Sequence, residues 1–248
     1  MAELVGILNV TPDSFSDGNL FFDAVKAIEH ARQMFGDGAA LVDVGAESTR
    51  PKATPLTPEQ EWQRLEPVLT ELVRDFPGRI SVDTYHPETA EKALELSGDV
   101  IINDITGMND PAMRDVVAKF KARCIISELP GGDIQAAHAS EPVNDALQIK
   151  KELLARAAGL EAMGVPKANI ILDPGIGFGK TMALNRKLLE FPKLIKGYKV
   201  MIGYSRKRFL GEHRMEIGPN LEAARIAIAA GAAYLRVHDV AGHRQLLK

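Results

Sequence analysis

The chain of 248 residues lacks the features that mark several large classes of protein. It has a single cysteine, Cys124, which excludes an intrachain disulfide and fits a reducing compartment. No apolar run is long enough to span a bilayer, and Met1-Ala2-Glu3 lacks the basic start of a signal peptide. We therefore predict a cytoplasmic protein without a membrane partner.

Several functional signatures are also missing. The 30 basic and 33 acidic residues give a net charge of −3, which predicts no nucleic-acid partner. No His-x-x-His or Cys-x-x-Cys spacing indicates zinc, and no Gly-x-Ser-x-Gly elbow indicates a serine nucleophile. The glycine-rich stretch Gly175–Lys180 has neither P-loop nor dinucleotide-binding spacing. Cys124 lies in an apolar run, which favours a core residue over a nucleophile.

What the sequence does have is a regular alternation of short β-like runs with longer amphipathic stretches. Eight such units in about 250 residues predict an α/β fold, a (β/α)8 TIM barrel forming one domain over residues 1–248. A doubly wound sheet is the alternative, but no Gly-x-Gly-x-x-Gly follows the first strand. The predicted strands are Val5–Asn9, Ala40–Val44, Ile80–Asp83, Val100–Asp104, Cys124–Ser127, Ile170–Asp173, Val200–Gly203 and Tyr234–Val237. The predicted helices include Ala24–Phe35, Pro58–Asp75, Pro87–Ser97, Asp145–Ala162 and Leu221–Ala230.

The helix predicted over Pro58–Asp75 shows the amphipathic pattern clearly. Apolar residues recur at helical spacing along one side of it. We predict that the charged residues Glu61, Arg64, Glu71 and Arg74 form its solvated face.

The start of the chain points to a ligand site. An apolar run ends at Asn9 and breaks into the polar stretch Thr11–Gly18. This pattern predicts a strand followed by a loop, and ligands of α/β proteins bind outside the carboxyl ends of strands. The stretches Thr11–Phe22 and Ser48–Thr57 are long enough to form mobile covers over such a site.

Polar residues gather near the ends of seven of the eight predicted strands. Because the carboxyl ends of a parallel barrel share one face, we expect a ligand site on that rim. Asp104, Asp173 and Asp239 each precede a helical pattern, so each by itself is equally consistent with a helix cap. Capping explains a single residue better than it explains a whole rim. The rim residues are Asn9, Asp43, Asp83, Asn103, Asp173, Lys207, Arg236 and His238.

The chemistry of this rim limits the ligand. Oxygen acceptors suit a planar polar group rich in N–H donors, whereas the cations suit an anionic end such as phosphate. The guanidinium of Arg236 also suits stacking over an aromatic ring. Asn9 with Asp17 suits Mg²⁺, which takes a few protein oxygens together with substrate phosphate.

Seven motifs together resemble the dihydropteroate synthase family, in that family's order and over nearly the whole chain. The resemblance implies a TIM-barrel transferase that joins 6-hydroxymethyl-7,8-dihydropterin pyrophosphate to p-aminobenzoate. The products are 7,8-dihydropteroate, for folate synthesis, and pyrophosphate. It also implies a homodimer, assistance by Mg²⁺ and competition by sulfonamides for the p-aminobenzoate pocket. The motifs are Asn9–Gly18, Asp43–Pro51, Asp83-Thr84, Ile102–Ile105, Asp173–Lys180, Ser205–Lys207 and Arg236–Val240.

The resemblance also implies a role for each residue that matches a family motif. The residues that hydrogen-bond the pterin would be Asp83, Asn103, Asp173 and Lys207, with Arg236 over the ring. The residues that hold the pyrophosphate would be Asn9, Arg236 and His238, with Mg²⁺ at Asn9. The p-aminobenzoate pocket would consist of Thr49, Arg50, Pro51, Phe178 and Ser205. The catalytic residues would be Asp17, Lys207 and Arg236, with Asp17 stabilising positive charge on the pterin methylene.

One departure from the family pattern lies after the fifth predicted strand. The family commonly has Met-His-Met there, but this chain has Ser127-Glu128-Leu129. Leu129 is a mild apolar replacement, whereas Glu128 in place of His reverses the charge tendency. Two other functions stay open: a non-catalytic pterin-binding paralogue and a methyltetrahydrofolate-dependent corrinoid methyltransferase. The stretches Thr49-Arg50-Pro51 and Ser205-Arg206-Lys207 argue against the methyltransferase.

Overall fold

Strands and helices alternate along the chain in the computed structural model, which describes residues 2–10, 20–47, 55–132, 137 and 142–247. The strands are β1 Glu3–Asn9, β2 Leu41–Gly45, β3 Ile80–Asp83, β4 Ile101–Asp104, β5 Arg123–Ser127, β6 Ile170–Asp173, β7 Lys199–Ile202 and β8 Tyr234–Val237. The α-helices of the described residues are α1 Leu20–Gly36, α2 Pro58–Asp75, α3 Pro87–Leu96, α4 Pro111–Phe120, α5 Ala146–Ala162, α6 Met182–Lys187, α7 Ile217–Ala229 and α8 Val240–His243.

The eight strands form one closed parallel barrel. Each strand pairs with the next, and β8 returns to pair with β1 through the register Val5 to Arg236. The predicted (β/α)8 barrel is therefore confirmed. The predicted bounds of β3, β6 and β8 match the structure, and the other strands differ from their predicted bounds by two residues or fewer.

The helices begin where the sequence supplies caps. Thr57 and Gln60 form a capping box at the start of α2, with Pro58 in the first turn. Asp110 and Asp145 cap α4 and α5 by accepting hydrogen bonds from backbone N–H groups two residues further on. These caps fix the helix starts and direct the preceding βα loops to one end of the barrel.

The barrel interior changes from apolar to polar along the strands. Its apolar layer consists of Val5, Leu41, Ile101, Ile125, Ile171, Met201 and Tyr234. Side chains two residues apart on a strand face the same side, so the next layer follows from the sequence. Above six of these apolar residues lie Asp43, Asn103, Ser127, Asp173, Gly203 and Arg236. The apolar layer closes the barrel and gives the polar layer a rigid floor.

The predicted solvated face of α2 is confirmed for Arg74 and Glu71, whose side chains are 63% and 37% exposed, and is wrong for Glu61. Glu61 is only 1% exposed, and its Oε2 atom accepts a hydrogen bond from Thr84 Oγ1 at 2.7 Å. Arg64 is half-buried and donates to the carbonyl oxygen of Ala46 at 3.2 Å. The first turns of α2 lean over the ends of β2 and β3, which buries side chains that helical periodicity alone assigns to solvent.

Two other expectations can be compared with the structure. Cys124 is buried, and burial raises the pKa of its thiol to about 12, so the prediction of a core residue is confirmed. Within the described part of the chain, no helix combines the length and the apolar composition needed to cross a membrane.

Candidate functional site

The centre of the polar rim is an arginine held between two carboxylates. Arg236 Nε donates to Asp43 Oδ2 at 2.6 Å, and Arg236 Nη2 donates to Asp83 Oδ2 at 2.6 Å. Burial by itself disfavours the charged guanidinium, but the two carboxylates outweigh burial and raise the pKa of Arg236. The guanidinium is therefore charged at every physiological pH and is fixed in direction by both partners.

Asp43 also orients Asn103. The amide Nδ2 of Asn103 donates to Asp43 Oδ2 at 2.9 Å. This contact uses one of the two N–H groups of the amide and fixes its orientation, so that Asn103 offers its carbonyl oxygen to a ligand. Asp43 is completely buried and touches two of the predicted site residues from behind. The sequence placed it on the rim without giving it a role, although its position two residues after the apolar Leu41 marks it as inward-facing.

A pocket with a cavity volume of about 40 Å³ opens above this network. Most of the predicted pterin residues lie around it, together with Ser127, which sequence reasoning did not select. Ser127 follows Ile125 by two residues, so the same alternation identifies it. The lining residues are Asp83, Asn103, Ile105, Ser127, Asp173, Gly175, Phe178, Gly203, Lys207 and Arg236.

Two carboxylates in this pocket are easier to protonate than usual. Burial raises the pKa of Asp83 to about 7, against the opposing effect of Arg236. Burial also raises the pKa of Asp173, which Lys207 opposes. Asp173 Oδ1 accepts from the backbone N–H of Gly175 at 2.8 Å. Both carboxylates would therefore benefit from a ligand that donates hydrogen bonds to them.

Lys207 supplies the second basic side chain of the pocket, beside Arg236. Burial lowers the pKa of its ammonium to about 7, although Asp173 opposes this change. Its Nζ donates to the carbonyl oxygen of Ile176 and lies 4.6 Å from the centre of the Phe178 ring. The ammonium of Lys207 thus lies between the carbonyl oxygen of Ile176 and the Phe178 ring at the pocket wall.

His238 and Ser205 meet beside the pocket. Ser205 Oγ lies 3.0 Å from His238 Nδ1 and accepts from the His238 backbone N–H at 3.3 Å. The contact therefore brings together two residues that the resemblance predicts for different substrates, His238 for the pyrophosphate and Ser205 for p-aminobenzoate.

The cap alternative has a different outcome at each aspartate. Asp239 caps α8 by accepting from the Gly242 N–H at 2.8 Å. Asp104 closes a turn instead, with its two oxygens accepting from the backbone N–H groups of Thr106 and Met108. Asp173 bonds only the turn at Gly175 and lines the pocket. The cap reading is therefore right for Asp239 alone.

Asn9 lies at the exposed end of β1, opposite Gly45 in the register with β2. The other residues predicted for the covering loops, Asp17, Thr49, Arg50 and Pro51, lie outside the described residues. Of the two residues that the sequence predicts to hold Mg²⁺, Asn9 is therefore described by the structure and Asp17 is not.

A second group of contacts, half-buried, is centred on Glu47, which directly follows Ala46 in the sequence. Glu47 Oε1 accepts from the Tyr85 hydroxyl at 2.6 Å, and Glu47 Oε2 accepts from the Leu56 N–H at 3.0 Å. His86 Nε2 lies 3.7 Å from Glu47 Oε2. The Glu47 carboxylate raises the pKa of His86, and burial opposes this only partly. Glu47 therefore joins the two ends of the predicted second covering loop to β3.

This group predicts a pH-dependent stability. A histidine whose pKa is raised by folding stabilises the fold below its ordinary pKa of 6.5 and loses this effect as pH rises through the folded value. We expect His86→Asn to lower the free energy of unfolding by about 0.5 kcal/mol more at acidic pH than at alkaline pH. Urea denaturation of wild type and variant at pH 6 and about pH 8.5 measures this difference.

The exposed pair of His213 and Glu216 gives the matched control, since its side chains are 73% and 67% exposed. Solvent screens such a pair, so His213→Asn should leave the free energy of unfolding nearly unchanged at both pH values. An equal loss for His86→Asn at both pH values would show that the imidazole acts through packing instead.

Comparison with known proteins finds a consistent set of relatives. The family model described as pterin binding enzyme matches residues 5–238. A dihydropteroate synthase of Neisseria meningitidis serogroup C is 38% identical over 99% of this chain and 90% of its own length.

Solved structures agree with this result. A Xanthomonas albilineans dihydropteroate synthase with 4-aminobenzoic acid is 36% identical, with a TM-score of 0.87, over 99% of this chain and 90% of that chain. A dihydropteroate synthase of Anaplasma phagocytophilum with bound 6-hydroxymethylpterin-monophosphate is 37% identical, with a TM-score of 0.86. That match covers 100% of this chain and 99% of the other.

Proposed function

The chain belongs to the dihydropteroate synthase family of pterin-binding enzymes, and on this premise we propose how its rim residues divide the work. The enzyme is a transferase that condenses 6-hydroxymethyl-7,8-dihydropterin pyrophosphate with p-aminobenzoate to 7,8-dihydropteroate. The observation that carries the assignment of residues is the convergence of three oxygen acceptors and one ammonium on a single pocket.

The inner rim binds the pterin. Asp83, Asp173 and the carbonyl oxygen of Asn103 accept hydrogen bonds from the amino and ring N–H groups of the pterin. Lys207 donates to its acceptor edge. Donation by the ligand stabilises carboxylates whose pKa burial raises, so the bound pterin keeps Asp83 and Asp173 ionised.

The side of the rim formed by the ends of β8 and β1 binds the pyrophosphate. Arg236, His238 and Asn9 come from the neighbouring strands β8 and β1 and surround the anionic end of the substrate. Asn9 offers one neutral oxygen, and the described residues contain no group of three or more His, Cys, Asp or Glu suited to a metal. This donor set fits Mg²⁺ held largely by substrate phosphate, with Asn9 as a protein ligand. The ion, when bound, neutralises charge on the leaving pyrophosphate.

The chemical step needs little acid–base machinery. The bond between the pterin methylene carbon and the pyrophosphate oxygen breaks, and the developing positive charge is stabilised by the pterin ring and Asp17. The amine nitrogen of p-aminobenzoate then forms the new bond to the methylene and loses one proton. Arg236 and Lys207 are preorganised cations that hold the departing charge and orient the ring.

The second substrate binds at the outer wall. Phe178 and Ser205 form its described part, and Thr49, Arg50 and Pro51 are assigned to it by the resemblance alone. Sulfonamides compete with p-aminobenzoate at this wall. The proposal further includes a homodimer, a single barrel domain over residues 1–248 and a cytoplasmic location.

One assay tests the function. Purified protein is mixed with the pterin pyrophosphate, p-aminobenzoate and Mg²⁺, and both dihydropteroate and released pyrophosphate are measured. We expect the two products in equal amounts and no dihydropteroate when p-aminobenzoate is omitted. Tight binding of the pterin pyrophosphate without product would favour the non-catalytic paralogue over the synthase.

A further inference from the structure

A buried ion pair lies behind the pocket wall, between the end of β5 and the loop after β6. Lys180 Nζ lies 2.5 Å from Glu128 Oε2, and the two side chains are 0% and 2% exposed. The same ammonium donates to the carbonyl oxygen of Glu128 at 3.1 Å and to that of Phe178 at 3.0 Å. The ammonium therefore has two carbonyl acceptors and a carboxylate counter-ion inside the protein.

Glu128 is the fixed end of this connection. Its backbone N–H donates to the carbonyl oxygen of Asp173 at 3.0 Å, which continues the parallel ladder between β5 and β6. Glu128 thus moves with the barrel wall, and the ion pair ties the loop of residues 175–180 to that wall.

The loop has little stiffness of its own. Gly175, Gly177 and Gly179 adopt φ values of 65°, 90° and 54°, a region that glycine enters without steric cost. A Cβ on Gly175 would lie 1.9 Å from the carbonyl oxygen of Glu128, so the loop packs directly against its anchor. A loop of this composition depends on external contacts for a single conformation, and Lys180 provides two of them.

Phe178 is the residue that this anchoring affects most. Its carbonyl oxygen accepts from Lys180, while its ring lines the pocket and lies 4.6 Å from Lys207 Nζ. Glu128 and Lys180 are not among the lining residues, so they act on a ligand through the loop. The negative charge that replaces the family's usual His is neutralised within the protein.

We propose that Glu128 and Lys180 are positioning residues that hold Phe178 in place and thereby set the affinity for p-aminobenzoate. This inference rests on the proposed function, since it requires Phe178 to form the wall for the second substrate. The pterin is bound chiefly by Asp83, Asn103 and Asp173, which project from the barrel strands. Its fourth partner, Lys207, also contacts the loop, at Ile176 and Phe178.

The test is the double variant Glu128→Gln/Lys180→Met, which leaves no uncompensated buried charge and so preserves the fold. We expect the KM for p-aminobenzoate to rise about tenfold, since the wall is no longer fixed. The KM for the pterin pyrophosphate should rise less, by about threefold at most, because three of its four binding residues project from the barrel strands. Steady-state kinetics with each substrate varied in turn, together with the Tm, separates these effects.

Two further variants make the result decisive. Glu190→Gln/Lys193→Met removes an exposed ion pair with a 2.7 Å separation and should change neither KM. Adding Phe178→Ala to the first double variant should raise the KM for p-aminobenzoate no further, because both changes act on the same wall.

An unchanged KM for p-aminobenzoate, or an equal rise in both KM values, would overturn the positioning role. Additivity with Phe178→Ala would overturn it as well. A wild-type protein that forms no dihydropteroate would contradict the proposed function instead, so the two failures are distinguishable.

Discussion

Arg236→Ala is expected to lower catalysis strongly and to reduce stability more than any other single change at the rim. Arg236 is the cation shared by the Asp43 and Asp83 carboxylates, at 2.6 Å from each. Its removal leaves buried negative charge without a partner, which costs about 3 kcal/mol of unfolding free energy. It also removes the charge that faces the pyrophosphate, so kcat/KM should fall roughly 30- to 150-fold. This corresponds to a loss of about 2–3 kcal/mol of transition-state stabilisation.

Arg236→Lys is the matched variant, because it keeps the positive charge but loses the planar guanidinium that donates to both carboxylates. An ammonium on a single stem does not bridge two carboxylates as a planar guanidinium does, so activity and stability should be intermediate. Urea denaturation and steady-state kinetics on the same preparations measure both effects. A full loss of stability with unchanged kcat/KM would give Arg236 a structural role and remove it from the reaction.

The fold was accessible from the sequence because its signals are local. Each strand is a short apolar run, and the helices α2 to α6 each begin with a cap or a proline, as at Thr57 and Pro58. Their alternation determines the barrel once the strands are taken as parallel. Glu61 shows where local information ends, since its burial depends on Thr84, which contacts it from a different strand end.

The sequence predicted which residues form the site but not which of them contact each other. Polar residues at strand ends identified the rim, and two-residue alternation on the strands would also have found Ser127. The partners were hidden because they come from distant parts of the chain: Arg236 and Asp43 are separated by 193 positions. The contact of Glu128 with Lys180 likewise depends on how the loop after β6 folds back onto β5. Such pairings follow from the closed barrel, not from any motif.

The two rim cations differ in what they contribute to stability. The carboxylates around Arg236 raise its pKa, so its charge is stabilised by folding. Burial lowers the pKa of Lys207 to about 7, so its charge is destabilised by folding. Residues that destabilise a fold are retained where they serve function. The same rim therefore contains one cation that supports the structure and one that the structure tolerates for the sake of its ligand.

Lys207→Met is accordingly expected to make the protein more stable at neutral pH. It should also lower kcat/KM by about 100-fold, because the ligand loses a hydrogen bond from a charged donor. A lowering of the pKa from 10.5 to about 7 corresponds to roughly 5 kcal/mol at most. Lost contacts with Ile176 and Phe178 offset part of this, which leaves a gain of about 1–2 kcal/mol.

The pH dependence of that gain identifies its cause. The unfolded lysine keeps its charge up to its ordinary pKa of 10.5, so the advantage of Lys207→Met is full at and below pH 7 and shrinks as pH rises toward 10.5. Lys207→Arg should be less stable than wild type above about pH 7, because a buried guanidinium does not release its proton as Lys207 does. Urea denaturation of the three proteins at several pH values measures the differences. If Lys207→Met is less stable than wild type at pH 7, the ammonium is held by its contacts with Ile176 and Phe178 rather than tolerated for its ligand.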